Sequence, residues 1–477
     1  MANKRIFYAA KKAGMGPVGS AQVKGVNDPT DIAQADKGKF RQLHGLQSVG
    51  ITTTFNLEQT FELGMLQIYE NIEGIPDISV DIEKVLDGYC PAYVLATSIN
   101  GDGELSTTDA DNKATAATLI GRSKAQCDFA LNVYKDTSEI AANVIDNGGS
   151  DGAAWYKDQP EISVMMSGMF VNSVSYTVGI DGYATESVSL VGQDKVFHAT
   201  EIANGVPAMA LWSATDFITR EEDPLAFTQG SGGVNRREDV LYVYPGNDTA
   251  GGDRHTRGYR DVNGAVSGLG TVLPRQIPGV STSGTVERDN GSFKVHVQSI
   301  TCSTDFGRED IFELGRRGRY HRFVPFPTEA TCEITCISTS GDLINVTEEG
   351  FIDPSNTSNI QNETIRLHLR EGLLVDMGKK NKLSSVNVTG GDAGGGNEEI
   401  TYSYQNFNDF TVFHPQDPLA VAYSGATGDK DRNTGSNGSD TAATTAYYQG
   451  IKEHFQTSKF TLRDGRHGDA GTAHASV

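Results

Sequence analysis

Apolar and polar residues alternate with period two over two well-separated stretches of the chain. Clear runs are Val171 to Val178, Ser187 to Val191, Lys294 to Thr301, Thr331 to Ile337 and Ser384 to Val388. Such a run puts every second side chain on the same side, which marks a strand with one buried and one wet face. Thr, Ser and Val are frequent in these runs, as suits a pleated surface. Asp87-Gly88, Asp181-Gly182 and Gly341-Asp342 punctuate them, and such pairs supply the positive φ of tight hairpins. Helix signals are few. The spacing of Ala, Leu and Ile predicts one helix within Ser123 to Val144. The pattern therefore predicts a mainly β protein built from sandwich- or barrel-like domains.

The pattern repeats. Gln47-Ser48-Val49 recurs as Gln298-Ser299-Ile300, Phe55 as Phe306, Glu58 as Glu309, and Phe61-Glu62-Leu63-Gly64 as Phe312-Glu313-Leu314-Gly315. All these pairs are 251 residues apart, and nine of 18 positions in the window are identical without a gap. With one residue of slippage, Ile78, Val80 and Ile82 match Ala330, Cys332 and Ile334. Val196-Phe197-His198 is mirrored by Val412-Phe413-His414. The expected organisation is a basic arm (1–46), a first domain copy (47–198), a β-rich or irregular connector or small lobe (199–297), a second copy (298–414) and a C-terminal arm (415–477). Copy 1 needs more residues than copy 2 to reach its next alternating strand. The excess is read as a surface insertion, about 97–157, rich in Asp, Asn, Gly and Ala.

Charge narrows the function classes. The 477 residues carry 40 Lys plus Arg against 61 Asp plus Glu, a net charge of -21. A protein that grips phosphate backbones needs the opposite balance. Copy 1 holds 22 acidic and 7 basic residues, copy 2 holds 17 and 10. No run reaches the length of a membrane helix. Met1 to Lys12 alternates charged and apolar residues too quickly for a signal peptide, so the five cysteines are expected as reduced thiols in a cytoplasmic product.

Motifs for chemistry are weak. Gly390 to Gly396 lacks the frame of a nucleotide loop, and neither G-x-S-x-G nor H-E-x-x-H occurs. Cys332 and Cys336 share one strand face with Cys302 on a preceding strand. Without C-x-x-C spacing they read as small buried hydrophobes rather than zinc ligands. Ser98 to Asp109 is similar to a calcium loop, with Asn100, Asp102, Glu104 and Asp109 as candidate ligands. Ser98 and Asp109 stand where the first Asp and the bidentate Glu belong. His321 reads as a surface residue. The cationic run with Arg316, Arg317, Arg319 and Arg322 is read as a subunit interface facing acidic surface on a neighbour. Copy 1 has Met65-Leu66-Gln67 at the place of Arg316-Arg317-Gly318.

Gln298 to Asp342, in which Phe312 to Gly318 precedes Pro327 and a Thr/Cys/Ile strand, resembles structural proteins of tailed bacteriophages. Each alternating-strand module resembles the tail tube domain, here in tandem. The resemblance implies a β-sandwich with a flanking helix. It implies six domains in a ring whose inner wall is one β-barrel, with rings stacked into a tube. A two-domain chain then implies a homotrimer that closes as a pseudo-hexamer. The implied location is the virion tail, with the host cytoplasm before assembly. Implied partners are further copies of the chain and sheath, baseplate or terminator proteins, while DNA passes without specific binding. No enzyme activity, cofactor or membrane partner is expected. Alternatives are a tail terminator, a baseplate ring or a decoration protein. From another class comes a carbohydrate-binding β-sandwich, for which two Trp in the chain are a poor stacking supply.

Overall fold

The computed structural model describes residues 11–18, 41–64, 66, 68–87, 89–97, 119–133, 162–199, 234–242, 270–282, 284–289, 292–316, 318–339, 362–369, 373–390 and 396–414. The protein is mainly β. The first half runs β1 (Lys11–Pro17), β2 (Arg41–Gln42), β3 (Leu46–Thr54), β4 (Leu57–Phe61), β5 (Ile68–Glu73) and β6 (Asp77–Val85). Two short helices follow, α1 (Ala92–Ala96) and α2 (Leu119–Ser123), then β7 (Cys127–Val133), β8 (Ile162–Gly179), β9 (Thr185–Gly192) and β10 (Val196–Ala199). The second half opens with a small hairpin, β11 (Arg288–Asp289) and β12 (Ser292–Phe293), and continues with β13 (Val297–Asp305), β14 (Glu309–Ile311), β15 (His321–Phe323) and β16 (Glu329–Ile337). It ends in β17 (Arg366–His368), β18 (Leu374–Asp376), β19 (Lys382–Thr389), β20 (Glu399–Phe407) and β21 (Thr411–Phe413).

Eight strands form one antiparallel run in the order β3-β6-β9-β8-β13-β16-β20-β19. The four from each half follow one plan. β3 pairs β6 with Thr54 opposite Asp77 and a register shift between Leu46 and Ser48. β13 pairs β16 with Thr304 opposite Ala330 and a shift between Val297 and Ser299, the repeat-related position. β9 then lies between β6 and β8, as β20 lies between β16 and β19. The shift in β8 between Val171 and Ser173 has its counterpart in β19 between Leu383 and Ser385. A bulge is a local, position-specific feature, and the two strand sets carry theirs at matching places in the register.

Alternation builds the layers. In β6, β9, β13, β16 and β20 every second residue is buried. Val80, Leu190, Tyr176, Cys302, Ile334, Tyr402 and Tyr404 thus fill one continuous core. The first part of β8 leaves this sheet to pair with β7 and β10, and β1 and β2 extend beyond β7. Gly168, at φ 67, marks the change of direction in β8. In the second half the corresponding stretch is broken into β18 and β19, and β17-β18-β21 forms a separate sheet.

Two expectations from local pattern fail here. Over Cys127–Val133 the helix expected within Ser123 to Val144 is replaced by β7, preceded by α2, while 134–144 lie outside the described residues. All seven positions of β7 are buried between β1 and β8, so no face-specific period survives to identify it. Residues 127–133 are therefore interior, although they fall inside the stretch read as a surface insertion. Asp87 turns into α1 rather than into a hairpin, and its carboxylate accepts from buried Lys84 at 2.8 Å. Asp181-Gly182 does make the β8–β9 turn, with Gly182 at φ 90. Gly341-Asp342 lies outside the described residues.

Candidate assembly interface

Three surfaces stand out from the packed body. The first is the wet face of the eight-strand run. It presents Ser, Thr and Gly with acids between them, and its floor is an open concavity of about 840 Å³ lined by Ser48, Asp81, Glu83, Ser175, Ser189, Ser303 and Asp305. Glu329, Glu333 and Glu399 lie on the same side. Among the described residues of these strands the one cation on this side is Lys382, paired opposite Gln405. Hydroxyl ladders cross the face, as in Ser303–Thr331 at 2.9 Å and Thr335–Thr401 at 3.1 Å. A surface this rich in acids and poor in cations repels polyanions.

The second surface is a pair of hairpins, β4-β5 and β14-β15, in matching register: Glu58 opposite Ile72, Glu309 opposite Phe323. Both tips carry the Phe-Glu-Leu-Gly sequence. Gly64 at φ 91 and Gly315 at φ 82 occupy the left-handed region that glycine tolerates. Leu63 and Leu314 stand fully in solvent. The first hairpin is exposed along its whole length, with Leu57, Phe61, Tyr69 and Ile72 all open. Apolar clusters of this extent mark contact surfaces.

The second hairpin is instead pinned to the first half of the chain. Arg319 and Arg322, 5% and 9% exposed, both bond to Asp77 at the start of β6, and their Nε atoms lie 2.6 and 2.7 Å from Asp310. Arg308 donates to the Val171 carbonyl at 2.6 Å and to the Ser123 carbonyl at 2.8 Å. Burial pulls the Arg308 guanidinium down to about 10, which leaves it charged at neutral pH. His321 meets Phe170 edge-on at 5.4 Å. Desolvation, then neighbouring Arg308, holds the imidazole below its ordinary value of 6.5. Arg319 and Arg322, read from sequence as facing a neighbour, are thus spent inside the chain. Their partner lies 242 and 245 residues away, beyond the reach of local pattern. Arg316 is exposed, 4.0 Å from Glu313 and over the Tyr320 ring. Arg317 lies outside the described residues, as do Asn100, Asp102, Glu104 and Asp109.

The third surface comprises the free edges of β3 and β19, each of which has a single strand partner among the described residues. Val388 on β19 is 49% exposed, whereas its counterpart in β8, Tyr176, is fully buried.

Buried chemistry in the core is structural. Glu186 accepts from the Ala92 and Tyr93 amides at 2.6 and 3.0 Å and from the Tyr176 hydroxyl at 2.9 Å, so a carboxylate holds the start of α1. Burial raises its carboxyl above the ordinary range, opposed by Lys84 and these hydrogen bonds. Cys302 and Cys332 touch at 3.7 Å between paired strands. The hydrogen bond from Cys302 and burial raise the Cys332 thiol well above its ordinary value, and burial takes Cys336 to about 12. Cys332 and Cys336 are therefore protonated, inaccessible thiols. Among the described residues no group of three or more His, Cys, Asp or Glu is placed to hold a metal ion.

No protein-family model and no curated protein sequence matches the chain. Among solved structures it is similar to the anti-feeding prophage cap, a tube-terminating cap, at 10% identity over 42% of this chain and 94% of that one, with a TM-score of 0.24. It is also similar to a chain of the native gene transfer agent virion, at 9% identity over 31% of this chain and 98% of that one, with a TM-score of 0.20.

Proposed function

We propose that the chain is a non-enzymatic structural subunit of a phage virion, a tail tube protein carrying two copies of one module. Three copies form a pseudo-hexameric ring, and rings stack into a conduit. The carrying observation is the matched register and matched bulges of the two four-strand sets, joined edge to edge through β8 and β13. One chain thereby supplies two adjacent segments of a wall. Its acidic, hydroxyl-rich face suits the bore, because like charge lets duplex DNA slide without sticking. The exposed Phe-Glu-Leu-Gly tips suit contacts between stacked rings.

Negative-stain images of the purified chain are expected to show hollow stacks or rings with apparent sixfold symmetry, and native mass spectrometry multiples of three. A stable monomer at high concentration overturns this reading. Single rings that never stack favour a terminator instead.

A further inference from the structure

The β8–β13 junction lies within one chain, and both of its strands have counterparts with an edge that no other described strand covers. β3 corresponds to β13, and β19 corresponds to the second part of β8. Unpaired edges template further strands. Two different edges that fit each other give a head-to-tail contact, which closes into a ring when the rotation allows.

We propose that β19 of one copy pairs antiparallel with β3 of the next copy in the register of the β8–β13 junction, and that the first hairpin docks across it through a Glu70–Lys382 ion pair. This rests on the ring reading above and specifies its contact. Ser175 faces Ser303 and Thr177 faces Thr301 within the chain. Their counterparts put Asn387 opposite Thr52 and Thr389 opposite Gly50 between copies. The Tyr176–Cys302 pair becomes Val388 against Ile51, which covers the half-exposed valine.

The hairpin follows from the same correspondence. Within the chain, His321 of the second hairpin packs on Phe170 of β8. Glu70 occupies the place of His321, since Thr60 faces Glu70 as Ile311 faces His321. Lys382 occupies the place of Phe170, since it faces Gln405 as Phe170 faces Val191. The aromatic contact inside the chain thus becomes opposite charges between chains. Docking also covers Leu57 and Ile68, the counterparts of Arg308 and Arg319, which are 59% and 42% exposed. A first hairpin with charge at one point and apolar residues at the others fits a neighbour's second half and leaves its own chain alone.

The test uses the full chain with Thr52→Cys and Asn387→Cys together. The native cysteines among the described residues are all buried, which keeps the background low. Oxidation is expected to link copies into closed trimers. A Ser175→Cys/Ser303→Cys chain, linked internally, reports that the fold tolerates such pairs. Lys382→Glu should raise the concentration needed for assembly about tenfold, and adding Glu70→Lys should restore it. Intact rings in which the 52/387 pair fails to link overturn the junction but not the ring. Linked open chains that pass three copies support the junction and sink the trimeric ring. Monomers that never link, with the 175/303 control closed, overturn both.

Discussion

The two hairpins share register, tip sequence and tip glycine, yet one is bound and the other bare. The second carries Arg308, Arg319 and Arg322, and all three are consumed within the chain by Asp77, Asp310 and the Val171 and Ser123 carbonyls. The first has Leu57, Ile68 and Asn71 at those places and contacts no such cradle. The same scaffold thus makes an intrachain contact with cations in one half and leaves an apolar surface exposed in the other. The cores diverge in the same way. The cross-strand pair Lys84–Glu186 of the first half stands where the second has Cys336–Ile400. In the first half Glu186 also accepts the first amides of α1, which a helix start leaves without intrahelical partners.

Breaking the core difference should have the largest effect. Glu186→Ala strands two amides and the Tyr176 hydroxyl in the interior, and the expected loss is ~3–5 kcal/mol of unfolding free energy in urea titrations. Because the Glu186 carboxyl is raised by burial, the folded state holds its proton more tightly than the unfolded chain. Its ionisation therefore removes stability as pH rises from the ordinary carboxyl value through the folded one, and Glu186→Gln should flatten that part of the profile. Arg322→Ala frees one side of the Asp77–Asp310 cluster and should cost about 2 kcal/mol, whereas Asn71→Ala at the matching place should stay within about 0.5 kcal/mol. Hydrogen exchange should report the first as selective opening of residues 309–323. Leu63→Ser and Leu314→Ser should each leave the chain's own stability within about 0.5 kcal/mol while weakening ring stacking seen by microscopy. The smallest effect is on His321. Its lowered value makes the folded chain the weaker proton binder, so stability present above 6.5 declines as pH falls below it, and His321→Phe should remove that slope in thermal melts at pH 5 to 7.

Much of the sheet was legible because its strands keep one face wet. Ile78, Val80 and Ile82 reveal β6, and the Gln-Ser-Val block reveals both β3 and β13. β7 was hidden because burial on both sides erases alternation. α1 was hidden because five residues after Pro91 cannot display a helical period, and its stabilising partner is Glu186, far along the chain. Arg319 and Arg322 looked outward for a related reason: a cationic run reads as surface unless the opposing acid is known, and Asp77 belongs to the other half. The polar face was recoverable as a face, but its concavity depends on how eight strands twist together, which no single run of residues encodes.

β8 hydrogen-bonds with β7 and β10 along its first part and with β9 and β13 along its second. Among the described residues it is the single strand shared by both layers of the first half and by both halves of the chain. The first half loses its fourth wall strand without it and the second half loses one partner of β13, so heat should melt the described body in one calorimetric transition rather than two, and severing the backbone between the halves should not release two independent folding units.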